Sequence, residues 1–167
     1  HPGWEGEPEF VNETGRNDLI AAKVAPGDEF LSFYVRTREP LTAPDERWMT
    51  LCLDVDGDPT NGWLGYDVVV NRRKPADGMA TVERFRSDGG VEPTDSAAAI
   101  AFDGRELELA VPRAALGLGT PGDGSKRVVV DFKWVDGLMI GGDASVLTTD
   151  GDAAPNDRFN YRAAWSE

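Results

Sequence analysis

Between Trp48 and Arg72 the apolar Leu51, Leu53 and Val55 alternate with Cys52, Asp54 and Asp56, the period-two pattern of a strand with one buried face. The run stops in Gly57, Asp58 and Pro59, residues that punctuate turns, and residues 66–70 return as a second apolar run. This predicts a hairpin that gathers Asp54, Asp56 and Asp58 at the end where its strands meet. Strand-like runs over 19–25 and 29–36, joined at Pro26-Gly27-Asp28, predict another hairpin. Residues 80–86 read as a strand, and 97–102 and 105–111 flank Asp103-Gly104, a strong hairpin signal. Residues 112–117 predict one helical turn, with Pro112 in the first turn and Gly117 as the stop.

Residues 126–134 are apolar nearly throughout and predict a central strand, and 158–162 a closing one. Between them 136–157 is a long Gly/Asp segment carrying Asp143, Asp150, Asp152 and Asp157, longer than most connections in compact domains and of a kind that is usually functional or ordered by an ion. Residues 1–18 are polar and Gly/Pro-rich, with Trp4 and Phe10 as the large anchors, and read as an extended arm over the domain. About nine short strands, with turns every 8–12 residues and at most one short helical turn, predict an all-β, antiparallel two-sheet sandwich. A single domain is expected over 1–167, with no repeat and no linker.

Composition narrows the partners. At 167 residues the chain is long enough to bury about 70% of the surface its unfolded form exposes. Seventeen basic against thirty acidic side chains give a formal charge of −13, which repels phosphate backbones and anionic lipid heads and argues against nucleic-acid and membrane partners. No apolar run approaches the roughly 20 residues that span a bilayer. The start His-Pro-Gly-Trp has no basic region followed by an apolar core, so a mature or excised domain is expected. The single Cys52 excludes an internal disulfide and, within a predicted strand, reads as a small buried hydrophobe. His1, at the terminus, is the only imidazole, so nothing supports thiol chemistry at Cys52, a two-histidine copper brace cannot form, and no catalytic function is expected.

Asp54, Asp56 and Asp58, spaced two apart at a Gly-rich turn, resemble the opening of an oxygen-rich calcium loop, in which alternate residues converge on one hard cation. An EF-hand would carry a Glu or Asp at the twelfth position counted from Asp54, and that position is Gly65. A calcium site here therefore belongs to a β-scaffold, with Asp67 on the return strand as the additional ligand and Asp152 of the long segment as a further candidate. The alternative is an Asp-rich turn that is merely well solvated and tolerant of unusual backbone angles.

Asn17-Asp18 before Leu19, Phe33-Tyr34-Val35, Trp48-Met49 before Asp54-Val55-Asp56, Gly62-Trp63, Tyr66-Asp67, Asn71-Arg72, Pro112-Arg113, Phe132-Lys133-Trp134 and Arg158-Phe159 together resemble the family 9-like carbohydrate-binding modules over nearly the whole chain. The resemblance implies a jelly-roll-like sandwich related to DOMON domains. It implies structural calcium, secretion, and attachment to a glycoside hydrolase or another carbohydrate-active enzyme. Sugar-binding members clamp a ring between aromatics, and Trp48 stands where one of these is expected. Residues 135–157, where the second clamp Trp would fall, contain no aromatic, and Trp134 within its apolar strand reads as a core residue. A sugar platform needs an apolar face and polar partners for hydroxyls. Trp48, Trp63, Tyr66, Asn71 and Arg72 are the residues expected to supply them. The other reading is an accessory domain that packs on a catalytic neighbour and binds no sugar of its own.

Overall fold

The computed structural model describes residues 16–122, 124, 126–156 and 159–167. Most of the expected N-terminal arm, with Trp4 and Phe10, and Asp157 and Arg158 of the C-terminal region lie outside the described residues. Ten strands follow in order: β1 (Leu19–Pro26), β2 (Phe30–Thr37), β3 (Thr50–Asp54), β4 (Val68–Val70), β5 (Met79–Phe85), β6 (Val91–Asp103), β7 (Glu106–Pro112), β8 (Arg127–Asp136), β9 (Asp152–Ala154) and β10 (Tyr161–Ser166). A 3-10 turn, Arg113–Leu116, follows β7 and ends at Gly117, whose φ of 69° needs no Cβ to be accommodated. A second short helical turn, α1 (Val146–Thr149), lies in the segment expected to be loop throughout.

Every pairing is antiparallel, along one path β1-β2-β7-β6-β5-β4-β3-β8-β10, with β9 beside the end of β8. The expected division into two sheets is not drawn by this pairing. Instead the sheet curls toward closure, and Leu19 of β1 donates its amide to Asp152 Oδ2 of β9 at 2.6 Å. Register shifts between Leu19 and Ala21 and between Thr81 and Glu83 mark irregularities of the kind that bend strands and increase their twist. Across the interior Phe33 of β2 meets Phe132 of β8 edge-on, with ring centroids 5.5 Å apart. The concave side holds the main core, from Leu31, Phe33 and Val35 through Leu51, Leu53, Val68 and Val70 to Val128, Val130 and Trp134.

The one-faced burial expected of residues 50–56 differs from what is observed, because every residue of β3 is buried. Its outer face is covered by a second core in which Cys52 and Val69 pack with Trp63, Tyr66, Phe85, Val135, Leu138, Leu147 and Ala153. The long segment after β8 thus helps to cover β3 and β4, together with Trp63, Tyr66 and Phe85. It converts an outer strand face into interior, which no alternation within β3 could reveal. Trp134 is fully buried, as its apolar surroundings suggested.

Candidate functional site

The β3–β4 hairpin forms as expected, with Leu51, Cys52 and Leu53 opposite Val70, Val69 and Val68. At its end Asp54, Asp56 and Asp67 each place a carboxylate oxygen within 4.8 Å of the others, a group that could hold a metal ion. Local hydrogen bonds fix the three. Asp54 Oδ1 accepts the Gly57 amide at 2.7 Å, Asp67 Oδ2 the Val55 amide at 2.8 Å, and Asp56 Oδ1 the Asp58 amide at 2.8 Å. Asp56 Oδ2 accepts from Asn61 Nδ2 at 2.9 Å. The amide oxygen of that Asn61 is buried with no partner among the described residues, which leaves one more oxygen donor beside Asp56.

Electrostatically the tip is strained. Burial pushes the Asp54 carboxyl above the usual Asp value, opposed by the Gly57 amide and reinforced by Asp131 and Asp56. Burial does the same to Asp67, opposed by the Val55 amide and reinforced by Asp56 and Asp54. Asp131 is a contributor that reasoning from the sequence missed. It lies directly opposite Asp54 in the β3–β8 register and is held by Arg162 through two bonds of 2.7 Å. A lone acid in the apolar 126–134 run was the signal for it.

Two of the five residues expected to bind metal fall outside the group. Asp58 turns outward and accepts from the amide and hydroxyl of Thr60 at 2.9 and 2.6 Å, which lowers its pKa. Asp152 belongs to the other end of the sheet. It pairs with Asp136, whereas Asp54 pairs with Asp131, a separation of roughly 17 Å along β8. There Asp152 receives the Leu19 amide and joins β9 to β1.

The residues expected to form a sugar platform are placed mostly in the interior. Trp48 is fully buried, with the edge of its ring against Phe102 at 5.0 Å. The positive φ angles of Arg47 (66°) and Met49 (47°) turn the chain at this point, and the Met49 amide is held by Asp136 Oδ1 at 2.9 Å. Trp63 donates Nε1 to the Gly142 carbonyl at 2.7 Å and packs with Tyr66 and Phe85. Tyr66 is buried, its hydroxyl donating to Asn160 Oδ1 at 2.5 Å. Asn71 is buried at a φ of 61° and donates Nδ2 to the carbonyls of Trp48 and Met49, which locks the approach to β3. Only Arg72 reaches solvent, and it closes a two-pronged pair with Glu83 at 2.9 and 2.7 Å. A stacking face must be open on one side, so Trp48, Trp63 and Tyr66 offer none in this conformation.

Cys52 lies fully inside, where burial pushes its thiol up to about 12. Its neighbour in register is the buried Lys133, whose ammonium donates to the Pro155 carbonyl. Such a thiol is a core group and not a nucleophile. No helix among the described residues is long and apolar enough to cross a membrane. Comparison with family models, curated proteins and solved structures gives no match, so the family resemblance rests on the residues quoted for it.

Proposed function

We propose that the chain is a secreted, non-catalytic carbohydrate-binding module whose shape is held by one calcium ion at the tip of the β3–β4 hairpin. The observation that carries the calcium assignment is the convergence of Asp54, Asp56 and Asp67. All the donors are oxygens, the unpartnered Asn61 oxygen included, and an all-oxygen set suits a hard cation such as calcium and not a soft or imidazole-seeking one. Burial first, and then the neighbouring carboxylates, raise the pKa values of Asp54 and Asp67, the penalty that a divalent ion would relieve. The two-sheet, jelly-roll-like sandwich implied by the resemblance belongs to the same reading. In it the strands on either side of the Phe33–Phe132 contact serve as the facing sheets.

The burial of Trp48, Trp63 and Tyr66 favours the second reading, an accessory domain packing on a catalytic neighbour without sugar binding of its own. A glycan panel separates the two, combined with melting in calcium and in EDTA. For one native-state site, a hundredfold excess of ion over Kd adds about 2.7 kcal/mol, or about 5–10 °C for a chain of this size. The module reading expects this shift together with binding to at least one oligosaccharide. The accessory-domain reading expects the shift alone. An unchanged Tm and no metal in the purified protein would make the acids an ordinary turn.

A further inference from the structure

The hairpin loop beside the three carboxylates holds a dipeptide with a chemistry of its own. Of the six asparagines in the chain, only Asn61 is followed by glycine. The fold imposes that glycine, because at its φ of 52° an added Cβ would sit 1.9 Å from the Tyr66 carbonyl oxygen. Around it the chain is pinned. Gly65 donates its amide to the Asn61 carbonyl at 3.2 Å, and Trp63 and Tyr66 exchange amide-to-carbonyl bonds of 3.2 and 3.0 Å. The Gly62 amide donates to no group among the described residues, and Asn61 and Gly62 are both partly open to solvent.

Covalent connectivity keeps that unbonded nitrogen close to Cγ of the Asn61 carboxamide, and glycine has no side chain to obstruct the approach. Loss of the Gly62 amide proton to water lets the nitrogen attack Cγ. The Gly62 N–Cγ bond forms, the Cγ–Nδ2 bond breaks, and Nδ2 leaves as ammonia with a proton returned from water, so that a five-membered succinimide remains. Water then opens the ring on one side or the other, giving aspartate or isoaspartate at position 61. One water is consumed and one ammonia released, and no oxidant or reductant enters. The departing Nδ2 is the atom that Asp56 Oδ2 holds at 2.9 Å. Oxygen in its place turns a donor to Asp56 into a fourth carboxylate beside the group of Asp54, Asp56 and Asp67.

We propose that Asn61-Gly62 is a site of spontaneous deamidation and that its aspartate product tightens calcium binding at the hairpin tip, since the charge count of the ligands tunes affinity in oxygen-rich calcium loops. The conversion needs no ion; its effect on affinity rests on the metal reading. The test incubates calcium-free wild type, calcium-saturated wild type and Asn61→Gln, whose longer side chain closes the ring poorly, at mildly alkaline pH, and maps peptide masses over time. Acid is expected at position 61 several times faster than at the other asparagines, more slowly with calcium bound, and not in Asn61→Gln. An amide retained at 61 in the folded protein while a synthetic peptide of residues 58–65 converts completely overturns the site, and acid formed equally fast in Asn61→Gln overturns the ring closure. Calcium titration of Asn61→Asp, the direct product, should give a severalfold lower Kd than wild type. An equal or higher Kd overturns the gain in affinity. Conversion at the same rate with and without calcium, together with no binding heat from either protein, leaves the modification standing and sinks the metal reading instead.

Discussion

At the residue scale, position 48 decides most. A Trp ahead of an acid-tipped strand has the same sequence signature whether it faces solvent or the core, and the two left-handed residues around it turn it inward. Trp48→Ala should therefore cost about 3–5 kcal/mol of stability, the range for a buried large aromatic, as read by urea unfolding. A variant that melts like wild type would contradict the buried position. The pair of Arg113 and Glu167, bonded at 2.6 Å and almost fully covered, sets a pH dependence. Arg113 holds the Glu167 carboxyl below its usual 4.5, helped by the Trp165 indole N–H. A depressed carboxyl stabilises the fold at pH values above the unfolded pKa, and that contribution is lost as pH falls through the lower folded value. The stability gap between wild type and Glu167→Gln should be full at neutral pH and shrink below about 4.5. A gap that is flat with pH would assign the effect to packing.

At the element scale, the punctuation was legible and the covering was not. Asp103-Gly104, Pro26-Gly27-Asp28 and the Pro112–Gly117 turn all fall where Gly and Pro chemistry requires, because turn angles are local properties of the chain. The acid-tipped hairpin was legible for the same reason, and with it Asp54, Asp56 and Asp67. Asp152, by contrast, meets Leu19 across 133 positions, and Leu138, Leu147 and Ala153 in the cover over Cys52 come some 85–100 positions after it. Neither contact leaves a local periodicity. β6 begins at Val91, earlier than its apolar run, since residues 91–93 pair with β5 ahead of the register shift opposite Val82. Within the hairpin loop, Gly62 has a φ of 52°, and a Cβ there would enter the space of the Tyr66 carbonyl. Gly62→Ala should cost roughly 2–3 kcal/mol and weaken metal binding by displacing the loop. Wild-type melting and wild-type affinity would refute that geometry.

At the scale of the whole molecule, the chain sets an excess of acids around a curled antiparallel sheet whose strand β3 is buried on both faces. Repulsion of this size opposes compaction, and one place where it gathers is the tip where Asp54, Asp56 and Asp67 come together. One divalent ion there would neutralise the tip and fix β3 to β4, the strands on which both cores rest. The direct test is calorimetric titration of calcium chloride into chelator-stripped protein, wild type beside Asp54→Asn and Asp67→Asn. The account predicts one ion per chain, with affinity reduced at least tenfold, about 1.4 kcal/mol, in each variant. Absence of binding heat, or isotherms indistinguishable among the three proteins, would contradict it.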